Sequence, residues 1–141
     1  MDEREPEITV SFGVAGRGFD TELATRTIGR TPTKVWRQKH EHLKARTDLS
    51  DTSWDVEIDW TEMDSVDDAV KRVLEEVWPY REGILTFVEE YEVSVSVTVF
   101  VRIWSNRPLY ELLPDTMSKL VALNATFSLD IYDYSDDEDD D

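Results

Sequence analysis

Residues 92–104 decide the fold, and they read Glu-Val-Ser-Val-Ser-Val-Thr-Val-Phe-Val-Arg-Ile-Trp. Every odd position from Val93 to Ile103 is aliphatic, whereas the even positions are mostly polar or aromatic. Strict alternation with a period of two is typical of a β-strand with one dry face and one mixed face. Valine suits such a strand because its β-branched side chain packs well on a pleated surface. We expect this strand to be central in a sheet.

The rest of the chain predicts four more strands and four helices around this strand. Alternating apolar residues predict strands near residues 8–14, 53–60 and 125–132, and residues 34–38 are a further candidate strand with Val35 on one face and Trp36 on the other. Apolar residues at helical spacing predict helices near residues 21–28 and 114–124, and two helices or one helix kinked at Pro79 over residues 66–90. Each helix has one apolar stripe and each strand one apolar face, so the two must cover each other. The sequence therefore predicts an α+β fold: a two-layer sandwich with a mainly antiparallel sheet of about five strands and helices packed on one face.

Length and composition indicate one domain followed by an acidic tail. We expect residues 1–134 to form a single α+β domain and residues 135–141, which are almost entirely aspartate and glutamate, to be a disordered tail. The chain has no cysteine, which excludes disulfides and thiolate metal sites. No apolar run approaches the roughly 20 residues of a membrane span, and residues 1–6 lack the apolar core of a secretory signal. We expect a soluble cytoplasmic protein that does not bind membranes.

The formal net charge of −17 is unevenly distributed along the chain. Residues 26–46 carry seven cations and one carboxylate, so the rest of the chain is even more acidic than the total. Such a charge opposes binding to nucleic acid or anionic membrane and attracts basic partners. High acidity with ten arginines to five lysines is also what a salt-adapted proteome produces, so the charge alone has two explanations.

Several short motifs lie at the ends of the predicted elements. They are Phe19-Asp20, Ile28-Gly29-Arg30-Thr31-Pro32-Thr33, Trp36, Trp54 and Leu129-Asp130-Ile131-Tyr132. Together they resemble the bacterial and archaeal domain-of-unknown-function 4279 family over roughly residues 8–134. The resemblance implies a single α+β domain, and it brings no catalytic residues with it.

Catalytic, metal and phosphate patterns are weak in this sequence. His40 and His42 lie two residues apart, but no further ligand is placed near them and the segment is basic, so we interpret them as loop residues. The glycines at residues 13, 16 and 18 match neither the dinucleotide fingerprint nor a P-loop and indicate a tight turn. Paired carboxylates are abundant on predicted solvent faces, and no serine is paired with a plausible base. We expect no enzymatic activity, no metal and no cofactor.

The leading hypothesis is a small, acidic, non-enzymatic interaction module that binds a basic protein, as an immunity protein or a regulator would. In the third strand Trp54, Val56, Ile58 and Trp60 alternate with acidic positions, which predicts a carboxylate-lined outer face. The polar side of the strand 92–104 adds aromatic side chains beside small serines and threonines, a platform that suits a peptide or a second subunit in a homodimer. The predicted partner-binding residues are Asp55, Glu57, Asp59, Phe100 and Trp104.

The alternative hypothesis is binding of an anion or a nucleic acid through a basic loop at residues 30–46. This segment combines cations that can neutralise phosphate with an aromatic side chain that can stack on a base. The predicted anion-binding residues are Arg30, Lys34, Trp36, Arg37, Lys39 and Lys44. The strongly negative remainder of the chain opposes the approach of a polyanion, so nucleic acid is the less favoured ligand.

Overall fold

The computed structural model describes residues 3–37 and 51–135. The described residues form five strands: β1 (Glu7–Gly16), β2 (Lys34–Arg37), β3 (Thr52–Glu62), β4 (Ser94–Ile103) and β5 (Ala125–Asp133). They also form four α-helices: α1 (Thr21–Ile28), α2 (Val66–Val77), α3 (Arg81–Tyr91) and α4 (Pro114–Ala122). A 3-10 turn at Trp78–Tyr80 joins α2 to α3, as expected where Pro79 interrupts the helical pattern.

The five strands form one sheet with the order β2-β3-β1-β4-β5. All neighbouring strands are antiparallel except β4 and β5. These two run parallel because α4 carries the chain back to the end of the sheet at which β4 begins. The predicted α+β fold with a mainly antiparallel sheet is confirmed. The central strand is β1, and β4, the strand of residues 92–104, lies directly beside it.

The core lies between the sheet and the helices. The odd positions of β4 from Val95 to Ile103 are all buried, and they belong to one cluster with the apolar stripe of α2. Trp54 of β3 is also fully buried, and its indole Nε1–H donates to Thr25 Oγ1 of α1 at 3.0 Å. That hydrogen bond satisfies the only polar atom of the largest core side chain and fixes α1 against the sheet.

The helix ends follow the residues that the sequence offers for capping. The Asp20 carboxylate accepts hydrogen bonds from the backbone N–H groups of the first turn of α1, and Gly29 ends this helix with φ at 93°. Ser65 Oγ accepts from the N–H of Asp68 at 3.2 Å and begins α2. Both helices lie on the side of the sheet that carries the apolar positions of β4, because their buried residues belong to the same core cluster as those positions.

The alternation predicted for β3 stops at Ile58. The pairing of β1 with β3 shifts between Val10↔Ile58 and Ile8↔Thr61, so β3 holds one extra residue at a β-bulge. Beyond the bulge, Trp60 lies on the face opposite the helices, where it contacts Arg102. The expectation that Trp60 shares a face with Trp54 is therefore wrong, because a single inserted residue changes the face of every side chain that follows.

Several sequence predictions lie outside the described residues. The two histidines, Lys39, Lys44 and most of the predicted acidic tail fall in residues 38–50 and 136–141. Within residues 3–37 and 51–135, no helix is long and apolar enough to cross a membrane.

Candidate functional site

The candidate site is the open face of the sheet, which we define as the face opposite the helices. No helix within residues 3–37 and 51–135 covers it. Strand pairing places small residues side by side across the middle of the open face. For example, Ser96 of β4 lies between Gly13 of β1 and Thr126 of β5. The small residues of this face are Ser11, Gly13, Ala15, Ser53, Ser94, Ser96, Thr98, Thr126 and Ser128. Their short side chains form a floor beside the larger aromatic groups at the end of β4 and β5.

Asp55 lies on this floor as a half-buried carboxylate. It is paired with Gly13 on β1 and with Lys34 on β2. A Cβ built on Gly13 would come within 2.6 Å of Asp55 Oδ1, so the carboxylate occupies the space that a larger residue would fill. Ser53 Oγ donates to Asp55 Oδ2 at 2.9 Å. Burial raises the pKa of Asp55, which outweighs the lowering by the Ser53 hydrogen bond and by the Lys34 charge.

The other two predicted carboxylates of β3 have different surroundings. Glu57 Oε1 lies 3.4 Å from the ammonium of Lys34, so this carboxylate has a cationic partner within the chain. Asp59 is exposed at the β-bulge, and its Oδ1 accepts a hydrogen bond from the N–H of Trp60 at 2.8 Å. The three acids therefore do not act as one uniform acidic stripe, and Asp55 is the member with a desolvated charge.

Aromatic side chains occupy the end of the open face where β4 and β5 finish. Phe100 and Tyr132 stack with ring centroids 6.4 Å apart, and Trp104 and Tyr134 stack at 5.7 Å. The guanidinium of Arg4 lies 4.1 Å from the centroid of the Trp104 ring. Both predicted aromatic site residues, Phe100 and Trp104, are partly exposed. This end presents flat apolar surface, with rings held in fixed orientations by their neighbours.

Arg102 joins the aromatic end to the middle of the face. Its guanidinium lies 3.7 Å from the centroid of the Trp60 ring, and its Nη1 lies 3.4 Å from Glu7 Oε1. Arg102 thus spans β1 from β4 to β3 and holds Trp60 flat against the sheet.

The basic segment that the alternative hypothesis uses is partly neutralised. Arg30 Nη2 lies 3.1 Å from Glu76 Oε1, and Lys34 is paired with Glu57 as described. Trp36 is exposed by 47 %, and with Arg37 it lines a cleft of about 510 Å³ whose other wall includes Asp20 and Glu22. Among the described cations of residues 30–46, Arg30 and Lys34 are paired with carboxylates, whereas the structure shows no ion pair for Arg37.

In the glycine-rich turn after β1, a carboxylate already accepts a hydrogen bond from the backbone N–H of Gly18. Asp51 Oδ1 accepts from the N–H of Gly18 at 2.6 Å and from the hydroxyl of Thr52 at 2.9 Å. The Gly18 hydrogen bond, followed by that of Thr52, lowers the pKa of Asp51. Asp51 and the Asp20 cap occupy the donors that a bound phosphate would use at this turn.

Metal-ligand geometry is absent from the part of the chain that the structure describes. Residues 3–37 and 51–135 contain no group of three or more histidine, cysteine, aspartate or glutamate side chains that could hold an ion. The histidines considered as ligands lie outside these ranges.

Sequence reasoning missed four residues that shape the open face: Gly13, Ser53, Trp60 and Arg102. A glycine inside a strand pattern is a signal for close approach of another group, and Gly13 carries that signal. The bulge that turns Trp60 to this face, and with it the Arg102 contact, has no comparable signal in the sequence.

Comparison with known proteins gives one match. Residues 6–134 match the model of a family described as "Domain of unknown function (DUF4279)". Neither the curated proteins nor the solved structures gave a match to this chain.

Proposed function

This chain belongs to the domain-of-unknown-function 4279 family, and we propose that it is a non-enzymatic binding module whose open face takes up a basic segment of a protein partner. Its role is that of an immunity protein or a regulator, acting in the cytoplasm. Asp55 supplies the central charge, and the aromatic end supplies apolar contact. Glu57 and Asp59 contribute long-range attraction rather than a fixed contact, because one is paired with Lys34 and the other is solvated.

The observation that carries the proposal is the setting of Asp55. Its carboxylate lies over Gly13, partly removed from water, with Ser53 as its side-chain hydrogen-bond donor. Desolvating a charge destabilises the free protein unless a partner compensates for it. A lysine or arginine side chain arriving from solvent would provide that compensation, and the small floor around Ser96 leaves room for it. Sites that keep an unfavourable charge in the free state are typical of binding function.

The aromatic end supports a peptide rather than a free ion as the ligand. Asp55 lies level with Ser96 but two strands away from it, and Phe100 and Trp104 follow Ser96 towards the end of β4, so an extended segment that crosses the face diagonally can reach both the carboxylate and the rings. Aromatic side chains are enriched at the centres of protein interfaces, where they bury large area at little entropic cost. The net charge of −17 adds steering of a cationic partner.

The alternative, anion or nucleic-acid binding through residues 30–46, has less support. Two of its cations, Arg30 and Lys34, have carboxylate partners within the chain. The cleft beside Trp36 and Arg37 is lined by Asp20 and Glu22, which repel an anion. Arg37 is the described residue on which this alternative depends most.

A peptide-display selection tests the proposal directly. The wild-type protein is used to select from a library of random peptides at 0.15 M salt, and the enriched sequences are expected to be rich in lysine and arginine. Asp55→Asn should weaken their binding about tenfold or more, since an uncompensated cation would face a neutral amide. Glu90→Gln on α3 is the matched control, because it removes the same charge from an exposed position on the helix layer.

Two results would contradict the proposal. Equal losses for Asp55→Asn and Glu90→Gln would mean that net charge alone attracts the peptides, as in a protein that is acidic only for solubility in salt. Selection of acidic peptides, or binding of an oligonucleotide that Arg37→Gln abolishes, would favour the alternative.

A further inference from the structure

Trp36, on the edge strand β2, is an exposed aromatic residue that the proposed function does not use. The chain has five tryptophans, and Trp54 is buried in the core. Three others each have an arginine guanidinium over the ring, at 3.7, 4.1 and 4.9 Å from the ring centroid, and these pairs are Arg102–Trp60, Arg4–Trp104 and Arg81–Trp78. Trp36 is exposed by 47 %, and within residues 3–37 and 51–135 no arginine or lysine lies over its ring. This ring can therefore accept a cation from elsewhere.

Strand pairing places Trp36 beside Asp55 on the open face. Trp36 is paired with Ser53, and Lys34, two residues earlier on β2, is paired with Asp55. Trp36 and Asp55 are thus diagonal neighbours on adjacent strands, with Cβ atoms about 7–8 Å apart, a separation that aromatic and long side chains bridge. The Ser53 hydroxyl, which donates to Asp55 Oδ2 at 2.9 Å, lies opposite Trp36. The exposed ring and the half-buried carboxylate therefore border the same part of the floor.

Lys34, the direct neighbour of Asp55 on β2, is shared with a second carboxylate. Its ammonium lies 3.4 Å from Glu57 Oε1. The Lys34 charge lowers the pKa of Asp55, but burial raises it by more. A second cation placed between Asp55 and Trp36 would therefore stabilise a charge that the chain itself leaves only partly compensated.

The open face also shows how a tryptophan and a carboxylate hold one arginine. The Arg102 guanidinium lies 3.7 Å from the centroid of the Trp60 ring, and its Nη1 lies 3.4 Å from Glu7 Oε1. A planar guanidinium can stack its face on a ring while its edge donates to a carboxylate, whereas an ammonium is a compact and strongly hydrated charge. Trp36 and Asp55 offer the same two kinds of partner.

We propose that Trp36 and Asp55 together bind an arginine side chain of the partner, with the guanidinium stacked on the ring and its edge towards the carboxylate. This inference rests on the proposed function and names the side chain that the partner supplies. Trp36 then determines specificity for arginine over lysine. The sequence placed Trp36 in an anion-binding set, but a neighbouring carboxylate favours a cation on this ring.

The cleft on the other side of β2 offers a competing position for the cation. Because β2 is the edge strand, Trp36 also borders the cleft that Asp20 and Glu22 line. A cation held there would have a carboxylate other than Asp55 as its partner. The experiment therefore compares carboxylates from both sides of the strand.

Two peptide-display libraries test the inference. Each peptide has a single cation at its centre, arginine in one library and lysine in the other, and the remaining positions are random without basic residues. The wild-type protein is expected to enrich the arginine library about three- to fivefold over the lysine library. Trp36→Leu should bring this ratio close to one while lysine binding persists, which also shows that the variant is folded. Trp36→Phe should keep part of the preference, since a phenyl ring binds cations less strongly than an indole.

Two carboxylate variants locate the cation. Asp55→Asn should weaken binding of both libraries, whereas Glu22→Gln, at an exposed position in the cleft, should leave the arginine preference intact. Binding that needs Asp55 but does not distinguish arginine from lysine would overturn this inference and leave the proposed function standing. A preference that Glu22→Gln abolishes and Asp55→Asn does not would overturn it as well, because the cation would then lie in the cleft. Binding of both libraries that does not depend on Asp55 would contradict the proposed function itself.

Discussion

The two faces of the sheet are built from alternate residues of the same strands, yet they obey different rules. On the helix side of β4, every position from Val95 to Ile103 is buried and aliphatic. On the open side, the same strand carries serine, threonine, phenylalanine and arginine, all of them partly accessible or exposed. The first face stabilises the fold by removing apolar area from water. The second face holds a half-buried carboxylate and stacked rings, which contribute less to folding.

The largest contrast between the faces is expected from placing a carboxylate on each. Val97→Asp would bury an unpaired charge among core residues and should cost about 3–5 kcal/mol or unfold the domain. Thr98→Asp, one residue further along, should change the free energy of unfolding by less than about 1 kcal/mol, because its side chain reaches solvent. Urea denaturation of both variants measures the contrast. Similar losses for the two would show that the open face is covered in solution.

The alternation in residues 92–104 made the division into faces predictable, since period-two patterning determines which side chains share a side. The order of the strands in the sheet was harder to predict from the sequence. The parallel pairing of β4 with β5 follows from the crossover through α4, which pattern alone does not specify. The position of Trp60 was predicted wrongly because a bulge leaves no mark in composition. The Gly13–Asp55 contact joins residues 42 positions apart, so no local pattern could reveal it.

The Gly13–Asp55 contact gives the next largest expected effect. An alanine Cβ at position 13 would meet Asp55 Oδ1 at 2.6 Å and displace the carboxylate. Gly→Ala in a strand also removes unfolded-state entropy, which is worth about 0.5–1 kcal/mol in the opposite direction. A double-mutant cycle separates these two contributions. We expect Gly13→Ala to be less favourable by about 1 kcal/mol in the wild type than in an Asp55→Ser background. No coupling in the cycle would mean that the carboxylate does not lie over Gly13.

Asp55 should also make the open face sensitive to pH. Its pKa is higher in the folded state than in the unfolded chain, so folding takes up a proton between the two values. The free energy of unfolding contributed by this group therefore falls as pH rises from its unfolded pKa through its folded pKa. Asp55→Asn should stabilise the free protein at neutral pH, by roughly 0.5 kcal/mol, while weakening the binding of basic peptides.

Thermal unfolding of Asp55→Asn from pH 3 to pH 7 checks this sign. The gain over wild type should be smallest at pH 3, where the carboxyl is protonated in both states, and should grow as pH rises. Glu90→Gln, at an exposed position on the helix layer, again serves as the control. A variant that is less stable than the wild type at neutral pH would mean that Asp55 is a structural residue whose charge helps the fold.

A similarly small effect is expected for the contact that holds Trp60 on the open face. Arg102 stacks its guanidinium on the Trp60 ring and also pairs with Glu7, so its two roles can be separated. Arg102→Lys keeps a cation near Glu7 but loses the planar stacking surface, and should cost about 0.5–1 kcal/mol. Glu7→Gln removes only a surface ion pair and should cost less than about 0.5 kcal/mol. Denaturation of both variants alone and in a Trp60→Leu background measures the comparison, since the Arg102→Lys cost should largely vanish once the ring is gone. If the ion pair proved the larger contribution, the ring of Trp60 would be free to move, and the aromatic end of the face would not be fixed before a partner arrives.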